Sequence, residues 1–430
     1  MEDDSPIIVD HERLTFDFSE TYNDRNNNSP VGTVTADYQM TNPTDEMLTV
    51  QMAFPFVEDL YSLSVSDIAI SADVAAVPYE IYIDPNDINT SDDSGEGFVY
   101  NYGTLGHILK QEWSLPGFNL NSEATLYRFI ASSREKPYLD FEVSFDSDQE
   151  QTFLIEKDFG GVSYFEDGRG ALNSRIIENI EAEVLVLGKD PGFTYAVLTD
   201  QGEKAEQDCY QLEIIRDSVD PREYLYSLIR EEFSDDTAAA ISDTQLFNLF
   251  LHKLWEHRLN NTSSSLHEGF SGFYEDRIFT LVYQVKFPPH STRSISVGYL
   301  TDGTMDRRET VSPKYSYTYL LSPARNWADF GNLDIEVVTP REAPYMIENN
   351  LDLSKDGENR YSTHLDGLPK SELTFTLYEK ETITFIDKTE SALIKASYLL
   401  YFLWPVIVIL LVVITILFVR AIRRMRRGPV

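Results

Sequence analysis

The sequence has almost no cysteine. Cys209 is the single cysteine among 430 residues, so the chain cannot form an intrachain disulfide. A small scaffold held together by disulfides is therefore excluded. The folded state must instead be stabilised by the burial of apolar side chains.

Basic residues are also scarce. The chain contains 35 Lys and Arg residues against 71 Asp and Glu residues, a net charge of −36 at pH 7. Proteins that bind nucleic acid use Lys and Arg to displace counterions from the phosphates, which this chain cannot do on a comparable scale. We therefore expect no nucleic-acid partner.

Complete motifs for catalysis or cofactor binding are absent. The sequence has no phosphate-binding loop and no dinucleotide fingerprint, and residues 269–272 fall one residue short of a nucleophile elbow. His252 and His257 share one predicted helix, but a spacing of five does not place them on one face as a zinc protease requires. We predict no catalytic residue and no cofactor.

One acidic loop is a weak candidate for metal binding. Residues 84–96 contain Asp84, Asp87 and Asp92, and carboxylate oxygens on a loop suit Ca²⁺. The order of an EF-hand is not kept, because Asn89 stands where that motif has glycine. We therefore expect a solvated hairpin loop without a metal ion.

Long hydrophobic runs are absent except at the C-terminus. Residues 396–419 are 24 uncharged positions, which as a helix span about 36 Å and exceed a hydrocarbon core of about 30 Å. Residues 420–430 carry five arginines and no acid, a pattern typical of the cytoplasmic side. We expect a transmembrane helix at 396–419, a cytoplasmic tail at 420–430, and the rest of the chain outside the cell membrane.

A basic signal sequence is missing at the start. Residues 1–4 include three acids, where a signal peptide is basic. We expect that a signal has been removed or that the true start lies upstream. The alternative tail-anchored topology would carry five arginines across the membrane.

Alternation of apolar and polar residues predicts strands along most of the chain. A hydrophobic content of 42%, with 25 Phe and 25 Tyr, is too high for a disordered protein. Period-two alternation or short apolar runs indicate strands with a buried face. The predicted strands are 33–40, 48–54, 139–145, 184–187, 193–198, 210–215, 279–287, 295–299, 315–319, 333–337 and 373–377.

The period changes to that of a helix between residues 220 and 260. Asp220, Pro221 and Glu223 have the order of a capped helix start, and a second start follows at Ser242. A further short helix is predicted at Ser322, with the rings of Trp327 and Phe330 on one face and buried in a core.

These elements predict a mainly β protein with two Ig-like β-sandwich domains joined by a short helical segment, plus one C-terminal transmembrane helix. The predicted organisation is an N-terminal extension at 1–27, a first sandwich at 28–215, a helical connector at 216–265, a second sandwich at 266–390, the membrane helix at 396–419 and the tail at 420–430.

Two stretches of the chain carry a resemblance to a known group of proteins. Residues 37–56, with Asn42-Pro43-Thr44-Asp45 at their centre, and residues 319–331 resemble motifs in uncharacterised exported, membrane-anchored β-sandwich proteins of Gram-positive bacteria. A chain without disulfides is ordinary for such proteins. The resemblance covers a small part of the chain and implies no specific function.

Two functions are compatible with these features. The first is a non-catalytic surface module that binds another protein or a cell-wall polymer. The alternative is an extracytoplasmic hydrolase with an acidic active site, since acids distant in sequence can meet in space. Two carboxylates about 5–10 Å apart at the base of a deep cleft would favour the hydrolase.

Overall fold

A computed structural model describes residues 5–20, 29–87, 113–134, 138–148, 150–233, 235–258 and 262–389. This part of the chain is mainly β. Its strands are β1 (Ile8–Asp17), β2 (Gly32–Asn42), β3 (Leu48–Glu58), β4 (Ala69–Ala72), β5 (Ala75–Ala76), β6 (Tyr79–Asp87), β7 (Ala124–Ser133), β8 (Leu139–Asp146), β9 (Thr152–Lys157), β10 (Gly161–Tyr164), β11 (Arg169–Ile176), β12 (Asn179–Gly188), β13 (Thr194–Leu198), β14 (Tyr210–Val219), β15 (Ser263–Ser265), β16 (Arg277–Phe287), β17 (Ser291–Thr301), β18 (Thr304–Asp306), β19 (Lys314–Tyr319), β20 (Asp329–Val338), β21 (Tyr345–Asn349), β22 (Ser354–Lys355), β23 (Arg360–Leu365) and β24 (Leu373–Tyr378). Each strand predicted from the sequence is confirmed.

The helices lie in or directly after the region where the periodicity of apolar residues changes from that of a strand to that of a helix. They are α1 (Pro221–Glu232), α2 (Asp235–Ala240), α3 (Asp243–Arg258) and α4 (Leu266–Ser271). The predicted start of α1 is confirmed, because the Asp220 side chain accepts hydrogen bonds from the backbone N–H groups of Arg222 and Glu223, and Pro221 takes the first turn.

Five sheets build the described part of the chain. The largest has eight strands in the order β22-β23-β20-β1-β2-β17-β4-β5, and a three-stranded sheet β3-β16-β6 and a four-stranded sheet β18-β19-β24-β21 accompany it. The remaining two sheets have the orders β14-β7-β12-β9-β15 and β10-β11-β8-β13.

Two hydrophobic cores correspond to these groups of sheets. The larger core contains side chains of the first three sheets together with the helices, for example Phe16, Leu281 and Leu254. The smaller core lies between the other two sheets and includes Phe129 and Phe141. One face of β7, β9 and β12 also contributes to the larger core, so the two groups share apolar contacts.

The predicted pair of separate sandwiches is wrong. Strand β2 pairs with β17 and β3 pairs with β16, so strands from both predicted domains share the same sheets. Alternation along a strand identifies which face is buried, but it does not identify the partner strand.

Residues 1–27, predicted as an extension, contain a strand in the middle of the largest sheet. Strand β1 lies between β2 and β20. Its register shifts between Val9 and His11, which breaks the alternation that identifies a strand in the sequence. The buried positions change from Ile7 and Val9 to Leu14 and Phe16.

The structure also corrects the membrane part of the predicted fold class. Among the described residues, no helix combines the length and the apolar character that crossing a membrane requires. Residues 396–419, where the transmembrane helix was predicted, and the tail at 420–430 lie outside the described residues.

Candidate functional site

A cavity of about 670 Å³ lies where the three sheets around the larger core meet. This volume is within the range of about 300–1,000 Å³ that is usual for sites of small organic ligands. The residues at its base are Glu12 of β1, Tyr38 of β2, Met52 and Phe54 of β3, Tyr283 of β16 and Tyr319 of β19.

Glu12 is directed into the cavity by the pleat of β1. It lies on the same face of the strand as Leu14 and Phe16, which are buried in the larger core, and Glu12 itself is 1% exposed. Glu12 pairs directly with Tyr38 across the β1–β2 ladder, and side chains so paired lie side by side on one face of the sheet.

A chain of hydroxyl groups ends on the Glu12 carboxyl group. The Tyr319 hydroxyl donates a hydrogen bond to Glu12 Oε1 at 3.3 Å, and the hydroxyl oxygens of Tyr38 and Tyr319 are 3.4 Å apart. Either of the two hydroxyl groups can be the donor in the contact between Tyr38 and Tyr319.

The second oxygen of Glu12 has no hydrogen-bond partner. Glu12 Oε2 is buried, and no group of the described residues donates to it. Buried polar atoms are satisfied in the great majority of native proteins, because an unmade hydrogen bond leaves the desolvation of the group uncompensated. An open acceptor at the base of a cavity therefore indicates a place where a ligand donates.

Burial sets the protonation of this site. Removal from water raises the pKa of Glu12 to about 7, while the hydroxyls of Tyr38 and Tyr319 lower it only in part. Burial, followed by the nearby charge of Glu12, raises the pKa of both Tyr38 and Tyr283. Near neutral pH the phenols are thus neutral donors, and Glu12 exists in both protonation states.

The rim of the cavity combines exposed polar groups with one large ring. Thr49, Gln51 and Asn326 are exposed, and the partly buried Trp327 lines the same opening. The prediction that Trp327 and Phe330 are core residues is confirmed only in part, because both rings pack against the larger core but are only partly buried. Trp327 is therefore accessible to a ligand in the cavity.

The short helix before Trp327 differs from its prediction in one detail. A 3₁₀-helix spans Ser322–Asn326 with Pro323 in its first turn, but the Ser322 side chain makes no capping hydrogen bond. Gly331, which follows this helix in the sequence, lies in β20. A Cβ atom there would come within 2.2 Å of the Asp10 carbonyl oxygen, so glycine is needed for β20 to approach β1.

The acidic loop predicted as a weak metal candidate is only partly described. Asp84 and Asp87 belong to the last part of β6, and Asp92 lies outside the described residues. Asp84 does not line the cavity, and the expectation of a solvated loop stays a prediction.

The sequence analysis missed Glu12. A usable signal was present, because Glu12 is in phase with Leu14, Phe16 and Phe18 and so takes an apolar position of a strand. The contributions of Tyr283 and Tyr319 have no comparable signal, since both fit the alternation of ordinary buried strands.

The comparisons with known proteins do not assign this chain to a family. No protein-family model and no curated protein matches the chain. Among solved structures, a "putative nutrient binding protein" from Legionella pneumophila aligns over 87% of this chain and 67% of that chain, with 13% identity and a TM-score of 0.27. A TM-score this low carries no argument about fold or function. The resemblance to exported Gram-positive proteins stays a prediction.

Proposed function

We propose that this protein is a non-catalytic binding protein whose cavity takes a small organic cation. The observation that carries the proposal is the buried Glu12 carboxyl group, with one oxygen unpartnered among the described residues at the base of the cavity, where the neighbouring side chains are aromatic or apolar. An ammonium group would donate to Glu12 Oε2 and would favour the ionised form of the carboxyl group.

The aromatic rings support a cationic ligand over a neutral one. Phe54, Tyr283 and Tyr319 surround the base, and Trp327 lies at the rim. Aromatic faces attract an ammonium group within about 6 Å and gain strength when the ion is desolvated. Met52 adds a flexible apolar contact for the remainder of the ligand.

The alternative of an acidic hydrolase receives less support from this cavity. Glycoside hydrolysis uses two carboxyl groups on either side of the scissile bond. Glu12 is the single acidic residue among the described residues that line the cavity. One carboxyl group suffices to hold a cation, so binding is the function that this geometry supports best.

Calorimetric titration with 2-phenylethylammonium tests the proposal, with 2-phenylethanol as the neutral counterpart. We expect the amine to bind the full chain more tightly than the alcohol. Since Glu12 must be ionised, amine affinity should rise roughly tenfold between about pH 6 and pH 8, whereas that of the alcohol should not change.

Two variants make this test specific. Glu12→Gln keeps the shape of the side chain and removes its charge, and it should weaken amine binding at least about tenfold. Glu46→Gln removes an exposed acid outside the cavity and should bind as the unchanged protein does. Equal affinity for amine and alcohol, or amine binding that survives Glu12→Gln, would refute the proposal.

A further inference from the structure

A second group of acids lies away from the cavity and joins two sheets. Glu58 is the last residue of β3 in the three-stranded sheet, and Asp59 follows it directly. Asp302 follows the last residue of β17 in the eight-stranded sheet. One carboxylate oxygen from each of these residues lies within 4.8 Å of the other two.

Glu58 is the buried member of this acidic group. It is 2% exposed, and its Oε1 atom accepts a hydrogen bond from the Asp59 backbone N–H group at 3.2 Å. Its Oε2 atom is buried, and no described residue outside this acidic group donates a hydrogen bond to it. Among the described residues, no Lys, Arg or His side chain forms an ion pair with Glu58, and Arg277, its partner across the β3–β16 ladder, pairs with Glu275 instead.

We propose that Glu58, Asp59 and Asp302 form a Ca²⁺ site that connects the end of β3 to the end of β17. Buried carboxylates normally pair with a cation or coordinate a metal ion, and an oxygen that receives no donor from outside a group of three acids has the chemistry of a ligand. The oxygen-only donor set disfavours Zn²⁺ and Cu²⁺, which prefer imidazole or thiolate.

The oxygens lie no more than 4.8 Å apart, a distance that the larger of the two common hard cations can span. Ca²⁺ holds oxygens at about 2.3–2.6 Å, so ligands on opposite sides of the ion lie about 4.8 Å apart. Mg²⁺ holds them at about 2.1 Å in a rigid octahedron, which limits the same distance to about 4.2 Å. Ca²⁺ therefore accommodates the full spread of this group, and water or backbone oxygens would complete its coordination.

The other two acids of the group also affect the protonation of Glu58. Burial, and then the neighbouring carboxylates of Asp302 and Asp59, raise the pKa of Glu58 well above its ordinary value. A bound divalent cation would reverse this effect by favouring the ionised form, so Ca²⁺ binding should release a proton.

Terbium luminescence of the full chain, after treatment with a chelator, tests the site directly. Tb³⁺ replaces Ca²⁺ and emits when a nearby tyrosine is excited. Tyr299 is a buried residue of β17, the strand that Asp302 directly follows. We expect emission that CaCl₂ suppresses at lower concentration than MgCl₂, and a rise of the melting temperature with CaCl₂ alone.

Variants separate this site from the acidic loop. Glu58→Gln should lower Ca²⁺ affinity at least about tenfold, while the melting temperature without metal should not fall, because Gln is a neutral side chain of the same shape as the protonated Glu58. Replacing Asp84, Asp87 and Asp92 together with Asn should leave both signals unchanged. The proposal is overturned by the absence of a Ca²⁺ signal, by a signal that survives Glu58→Gln, or by a preference for Mg²⁺.

Discussion

At the scale of single residues, burial determines the protonation of the Glu12 carboxyl group at the base of the cavity. Glu12 occupies a position that its strand otherwise fills with Leu14 and Phe16, and removal from water destabilises its ionised form. The hydroxyl groups of Tyr38 and Tyr319 offset only part of this destabilisation of the ionised form. The cavity therefore contains a carboxyl group that can accept a hydrogen bond from a ligand.

The pH dependence of stability should reveal this buried acid. Because the pKa of Glu12 rises from 4.5 to about 7 on folding, the folded state holds more protons than the unfolded state between these values. Glu12 therefore lowers the free energy of unfolding as pH rises from about 4.5 to 7, by about 3 kcal/mol in total.

Urea denaturation of Glu12→Gln at several pH values measures this effect. The variant should match the unchanged protein near pH 4.5 and exceed it by about 3 kcal/mol near pH 8. The exposed Glu46→Gln is the control and should show no such difference. A variant less stable than the unchanged protein at pH 8 would show that the Glu12 carboxylate is satisfied.

At the scale of elements, the side chain of one glutamine forms hydrogen bonds with the backbone of an edge strand. Strand β6 is the outer strand of its three-stranded sheet, so its free backbone groups need partners. Gln245 of α3 is 6% exposed, and its side chain accepts from the Ile83 N–H at 2.8 Å and donates to the Ile81 carbonyl at 3.0 Å. The helix thus continues the hydrogen bonding of the sheet through a side chain.

Removing that amide should be costly. Gln245→Leu keeps the volume but leaves one buried N–H group and one buried carbonyl without partners, and we expect a loss of about 2–4 kcal/mol in the free energy of unfolding. Gln284→Leu, at an exposed position of β16, should change it by no more than about 0.5 kcal/mol. Equal effects in chemical denaturation would mean that water satisfies the edge of β6.

At the scale of the whole molecule, distant parts of the chain are interleaved. The eight-stranded sheet alternates between the two ends of the chain, with β20, β1, β2 and β17 as its central strands. The cavity depends on this arrangement, since Glu12 and Tyr319 come from opposite ends of the described chain.

A fragment that covers only one of the predicted domains should therefore not fold by itself. Residues 266–390 expressed alone retain β16, β17 and β20 but lose their partners β3, β2 and β1. We expect this fragment to show no cooperative thermal unfolding, whereas residues 5–389 should unfold cooperatively. A cooperative transition in the short fragment would restore the second sandwich as an independent domain.

The sequence by itself determined local features. Alternation located β2, β3 and β16, and the order Asp220-Pro221 located the start of α1, because pleat and capping depend on neighbours in sequence. Strand pairing and the two candidate sites were decided only by the tertiary structure. A sheet pairs strands hundreds of residues apart, and no local period records the partner. The same holds for Glu58 and Asp302, which become neighbours only when two sheets pack together.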